Sequence, residues 1–437
     1  MASNSPSPSF AEVVRVFARI GALSFGGPAG QIALMHRELV DERCWVSEDQ
    51  FLHALNFCHL LPGPEAQQLA TWIGWKLHGL RGGLVAGLLF VIPGAAVMLG
   101  LSLLYAHAAG LAWFSALFLG VKAAVLAIVF QALRRIAGRA LNTRFKEGLA
   151  LIAFLALFLL DLPFPLVVLS AGAIGMAVAL ARPDLLALKP PPAAAEPAPR
   201  PWRQTVVTIL AWAALWAAPM LAVLLLLGPG HVLWTLGLFF SKLAVVTFGG
   251  AYAVLAYMAQ QAVQTFGWLS AGEMADGLGL AETTPGPLIM VTQFVGFLAA
   301  FRAPEPFSPF MAGLLGALLT TWVTFAPCFL WIFALAPWME RLEQARRLAG
   351  GLAAVTSAVV GVIANLTVWF ALHVLFTRVE RLELGPLHLS LPEWSSLDWR
   401  AAVLTALAAL LIFRFNQSMP RVLAICAFCG VALGAVA

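Results

Sequence analysis

The stretch "LSFGGPAGQIALMHRELVDERCWVS" runs from Leu23 to Ser47, and a looser copy, "VTFGGAYAVLAYMAQQAVQTFGWLS", runs from Val246 to Ser270. Phe25 falls on Phe248, Trp45 on Trp268, Ser47 on Ser270 and, farther along, Pro62 on Pro285, all at an offset of 223 residues. Arg19 falls on Lys242 by the same shift. One separation shared by so many positions marks an internal duplication. "VKAAVLAIVFQAL" from Val121 also resembles "VTSAVVGVIANL" from Val355, so the similarity continues past the motif with small insertions.

Both copies lie in segments too apolar to face water. Hydrophobic residues make up 61% of the chain and charged residues 11%, with a mean hydropathy of +0.89, which excludes a soluble domain with a polar surface. Apolar runs of roughly 20 residues, long enough to cross the hydrocarbon layer as helices, recur at thirteen places: 10–36, 50–76, 82–107, 111–136, 147–161, 163–182, 204–228, 232–262, 274–300, 308–336, 348–376, 400–415 and 419–437. The fifth and sixth, separated by "DLPFP", are short and read equally as a re-entrant pair. Lipid offers no partner to open backbone, and a β-barrel would show short alternating strands, so the expectation is an all-α integral membrane protein.

The opening "MASNSPSPSF" lacks the basic and short apolar regions of a cleaved signal, so the first segment is expected to remain as a span. Placing the amino terminus inside puts the clusters Arg134, Arg135, Arg139, Arg144, Lys146 and Arg341, Arg346, Arg347 on the cytoplasmic side, as the positive-inside rule requires. The sequence pI near 9.2 then reflects orientation and calls for no nucleic-acid partner. The Pro/Ala stretch "LALKPPPAAAEPAPRPW" divides the chain. The expected domains are a first repeat over 1–182, a linker with a connecting helix over 183–231, and a second repeat over 232–437. Each repeat holds six segments. The odd connector flips the second copy, so the repeats are expected to be inverted, an arrangement of secondary transporters with a midplane site.

Gly26, Gly27 and Pro28 weaken a helix, and Ser24 offers a cap for a new start. The second copy writes Thr247, Gly249 and Gly250 at the matching place. "LPGPEAQQ" at Leu61 breaks a second segment through Pro62 and Gly63, as "TTPGP" at Thr283 does through Thr284, Pro285 and Gly286. Helix starts inside protein present unpaired N–H groups that suit an anion, and irregular backbone at membrane depth is tolerated where it lines a cavity. Close glycine packing and proline kinks explain any one motif as well. Arg19 and Lys242 are intramembrane cations expected to share an anionic substrate, or to snorkel. Lys122 is the most isolated such charge, read as a substrate-facing cation or as half of a buried ion pair. Glu65, His59 and its repeat equivalent Glu282 are candidate proton carriers, although Glu65 equally suits a helix start. Gln67, Gln68, Asn56, Thr283 and Thr284 are hydrogen-bond donors for substrate oxygens or for broken backbone. The charges of "HRELVDER" read as a solvated loop.

Cys44, Cys58, Cys328, Cys426 and Cys429 have no disulfide-framework spacing. No Walker loop, His/Cys metal cluster, HExxH or GxSxG pattern occurs, which disfavours a nucleotide-driven pump and the commonest membrane enzymes; neither metal nor cofactor is expected.

Phe25, Gly26, Gly27, Pro28, His36, Trp45 and "LLPGPEAQQLATWIGW", with "TFGGAY" and "TTPGPLIM" in the second half, resemble the chromate ion transporter family, as a long-chain two-domain member, over almost the whole chain. The resemblance implies an exporter linked to the proton motive force, lowering cytoplasmic chromate across the plasma membrane (the inner membrane, in a bacterium). Sulfate, a similar tetrahedral dianion, is an expected competitor, and a homodimer is a possible assembly. The second copy has Ala251 where the first has Pro28, and Leu288 where it has Glu65, which opens a purely structural role for it. An anion channel using the same cations and breaks is the alternative; an intramembrane enzyme lacks a visible nucleophile.

Overall fold

The computed structural model of the chain describes residues 8–25, 27–108, 110–188, 202–248, 251–385 and 387–435. Each apolar segment is helical, and the four that carry internal glycine and proline motifs are interrupted there. Helix Phe10–Leu23 is followed by Gly27–His36, Glu48–His59 by Glu65–Ala108, Val232–Val246 by Ala251–Gln260, and Ala271–Thr283 by Val291–Arg302. Gly27, Gly63 and Gly286 have φ of 71°, 119° and 85°, a region closed to most side chains. Helix Glu65–Ala108 is itself interrupted at His78 and Gly79. The "DLPFP" turn separates two helices, Arg144–Phe158 and Phe164–Ala181. Among the described residues six helices are long and apolar enough to cross a membrane.

Two compact units form, and each draws on both sequence halves. The first comprises Met1–Ser102, Pro190–Ala251 and Thr284–Ala345. Its core gathers Phe17, Ile20, Met35, Phe51, Phe57 and Phe90 with Phe329, Ile332 and Phe333 of helix Pro309–Leu335. Glycine on helix Glu65–Ala108 makes that contact possible: a Cβ at Gly87 would lie 2.5 Å from the Phe329 ring and one at Gly83 2.7 Å from Phe333. Helix Trp202–Leu227 buries little, and Leu225 and Leu226 are 74% and 81% exposed, the face a lipid layer covers. Most of the Pro/Ala stretch lies outside the described residues.

The second unit comprises Leu103–Lys189, Tyr252–Thr283 and Arg346–Ala437. Helix Arg346–Leu375 packs against Phe164–Ala181 and Arg144–Phe158 through small residues. A Cβ on Gly175 would lie 2.3 Å from the Gly350 carbonyl oxygen, and one on Gly361 2.1 Å from that of Ala150, the close approach by which membrane helices gain dispersion energy. Helices Trp399–Phe413 and Met419–Ala435 pack on Ala112–Ala140. A small antiparallel hairpin, Val379–Leu384 with Leu387–Pro392, was not expected from the sequence; its alternating "VERLEL" and "LHLSLP" turn at Gly385, which has φ of 62°.

Candidate functional site

The four helix breaks meet in the first unit, and they meet across the repeat. The Gly63 N–H donates to the Thr247 carbonyl at 2.8 Å, and the Gly286 N–H donates to the Ser24 carbonyl at 2.9 Å. Gly286 is Gly63 shifted by 223, and Thr247 is Ser24 shifted by 223. The exchange is therefore isologous: each Pro-Gly-Pro break straps the Phe-Gly-Gly break of the other copy, as two surfaces do about a two-fold axis. Local geometry repeats as well. The Ser24 hydroxyl donates to the Ile20 carbonyl and that of Thr247 to the Leu243 carbonyl, both at 2.6 Å. The Ser24 hydroxyl thus ties back to the helix it ends, the i−4 carbonyl being the nearest acceptor once the chain turns out of the helix.

Neutral polar groups gather around these crossings. Gln31 donates its amide to the Gly286 carbonyl at 2.6 Å, and Gln68 donates to the Pro62 carbonyl at 2.7 Å. A Cβ on Gly63 would meet the Cys328 sulfur at 2.8 Å and the Gln68 amide nitrogen at 2.9 Å, and one on Gly94 would lie 2.4 Å from the Pro285 carbonyl oxygen. Gln293 donates to the Ala95 carbonyl, one residue from Gly94, at 3.0 Å. Gln67, Gln68, Thr292, Gln293 and Thr324 each keep a buried side-chain oxygen without a hydrogen-bond partner. Buried polar atoms are rarely left so, because the desolvation goes unmatched. The hydroxyls can donate outward, and the Gln68 and Gln293 amides, each held to a carbonyl through one N–H, keep an accepting oxygen and a second N–H that can donate to a polar guest. Thr284 is 3% exposed beside the second crossing.

Glu65 opens its helix with its side chain 9% exposed, and His59 Nδ1 lies 3.8 Å from Glu65 Oε1 while the His59 side chain is half exposed. Asn56 is exposed, and the Thr283 hydroxyl returns to the Leu280 carbonyl. Glu282 is buried in the second unit. Gly26, Gly249 and Gly250 lie outside the described residues.

The cations behave differently from the breaks. Arg19 sits 3.6 Å from Glu38, which is 1% exposed and also holds Arg43. Gln261 replaces Glu38 at the repeat-equivalent position, and Lys242 lies exposed. Lys122 belongs to the second unit, where its ammonium lies 3.2 Å from Asp276 Oδ1. Sequence reasoning passed over Gln31, Thr292, Gln293 and Thr324. A lone amide or hydroxyl in an apolar helix is a weak signal, although Gln293 stands only a few residues past "TTPGP". Among the described residues no group of three His, Cys, Asp or Glu side chains is placed to hold a metal.

A family model described as "Chromate transporter" matches residues 11–176 and 234–432. The chain is 33% identical over 396 residues to a chromate transport protein of Pseudomonas aeruginosa, covering 87% of this chain and 85% of that one. It is 29% identical to a probable chromate transport protein of Synechococcus elongatus, with 83% and 85% covered. A chromate transport protein of Cupriavidus metallidurans is 26% identical, with 84% of each chain covered. No solved structure matches the chain.

Proposed function

The chain belongs to the chromate transporter family, and from that premise we propose a secondary transporter that exports chromate from the cytoplasm, with the crossed helix breaks as its oxyanion site. The observation that carries this reading is the pair of cross-repeat hydrogen bonds, Gly63 to Thr247 and Gly286 to Ser24. Each holds one interrupted helix against another among buried side chains, and the helix that starts at Glu65 has first-turn amides with no partner inside the helix. The partnerless oxygens of Gln67, Gln68, Thr292, Gln293 and Thr324 mark polar capacity that the protein leaves unused. Neutral donors suit an ion that must leave again, because binding has to be weak enough for release. Arg19 and Lys242 then act as attracting charges at the approach.

Energetics favour the outward direction. Moving a dianion out of an inside-negative cell gains about 4.6 kcal/mol per 100 mV. The two halves are inverted copies in this reading, and the amino terminus is cytoplasmic in the plasma membrane. An isologous contact between breaks gives such copies a natural axis for alternating access.

The test is chromate flux into proteoliposomes under a set voltage and pH gradient, with sulfate and molybdate as competitors. Saturable flux that follows the voltage, responds to the pH gradient and is competed by sulfate is expected. Absence of chromate flux would overturn the reading, and an unsaturable ohmic conductance would replace the carrier with a channel.

A further inference from the structure

In the second unit a cavity of about 370 Å³ is lined by Tyr105, Ser115, Lys122, Ser270, Glu273 and Asp276 together with two phenylalanines. Asp276 is 5% exposed. Its Oδ2 accepts from the Tyr105 hydroxyl at 2.7 Å. Its Oδ1 accepts no hydrogen bond and has the Lys122 ammonium 3.2 Å away. Lys122 comes from the first sequence half and Asp276 from the second, so this charge pair joins the repeats.

A buried ion pair is a weak way to gain stability, since apolar replacements of similar volume often serve as well. An intramembrane acid needs another reason. Glu273 precedes Asp276 by three residues on helix Ala271–Thr283, which places both carboxylates on one face, and both line the cavity. Helix Arg346–Leu375 also packs on this helix, but its titratable residues, Arg346, Arg347 and His373, do not line the cavity. The groups that face Asp276 are thus Lys122, Tyr105 and Glu273.

We propose that Asp276, with Lys122 as its counter-charge and Glu273 at the cavity as its relay, is the site where the coupled proton is carried. This deepens the transport reading and rests on it. The proton comes from water in the cavity, settles on Asp276 Oδ1 and returns to water. Protonation removes the charge that holds Lys122 to the other sequence half, so the pair loosens when Asp276 is neutral and closes when it is ionised. A group whose binding differs between two conformations shifts the balance between them, which is what coupling requires.

The test separates coupling from chromate handling in reconstituted vesicles. Asp276→Asn is expected to keep chromate counterflow near the wild-type rate while accumulation driven by a pH gradient falls on the order of 5- to 150-fold, the usual size of a lost coupling. Asp276→Glu is expected to retain the response. The double variant Lys122→Met with Asp276→Leu keeps the packing without the charges, and it should exchange chromate without responding to pH. A pH response preserved in the double variant would overturn the proposal and leave the pair a structural one. Infrared pH-difference spectra offer a readout independent of transport: a protonated-carboxyl band present in the wild type should vanish in Asp276→Asn, and its persistence would overturn the proposal too. Wild-type vesicles without chromate flux would instead sink the transport reading.

Discussion

Gly63 and Gly286 hold the crossing because no other residue takes their backbone at so little cost. Both have positive φ, and a Cβ at Gly63 would press on Cys328 and Gln68. A side chain forced into that region costs about 1–3 kcal/mol before any clash is counted. Gly63→Ala and Gly286→Ala are therefore each expected to lower chromate flux on the order of tenfold while protein still reaches the membrane, measured as flux per amount of inserted protein. Wild-type flux in both would show that the strapped geometry is not needed. At this scale the sequence was legible where backbone chemistry is unusual. Glycine and proline announce a break from any context, whereas Asp276 and Tyr105 carry no local mark, and only packing brings them to Lys122. Lys122 itself was legible as an anomaly, with the ion-pair reading already open to it.

The broken helices were legible for the same reason, and their boundaries fall close to the apolar runs because burial in lipid demands length and hydrophobicity together. Two features of the elements were not legible. The hairpin Val379–Leu384 with Leu387–Pro392 has few residues and sits in a connection where charged residues dilute its alternation. The partner of each break was also hidden, since a sequence offset gives equivalence between copies but not which element of one copy touches which of the other. Equivalent elements carry a prediction of their own. Ser47 starts helix Glu48–His59 with its hydroxyl accepting from the Gln50 N–H, and Ser270 does the same for Ala271–Thr283 with the Glu273 N–H. In inverted copies these two caps lie on opposite faces of the membrane. Single cysteines placed there should label with an impermeant thiol reagent from opposite sides, and labelling from one side would make the copies parallel.

The whole molecule combines a duplication visible in the sequence with an assembly that the sequence order does not suggest. Each compact unit takes segments from both halves, so the unit of sequence and the unit of packing differ. The reciprocal hydrogen bonds between breaks support the transporter proposed above, in which copies related by a pseudo-axis would alternate in access. The exchange of charges follows a different logic. Glu38 serves Arg19 and Arg43 in the first copy only, and Glu65 has Leu288 as its counterpart, so the two copies share a framework and divide the polar work.

In the proposed transporter chromate rests where the two Pro-Gly-Pro breaks cross the two Phe-Gly-Gly breaks. Chromium scatters anomalously, so a chromium anomalous difference map from crystals grown with chromate locates the ion directly. A peak is expected within hydrogen-bond reach of the Gly63–Thr247 and Gly286–Ser24 crossings and of Gln68. A single peak at Lys122, or under the hairpin at Arg381, with none at the crossings, would contradict it.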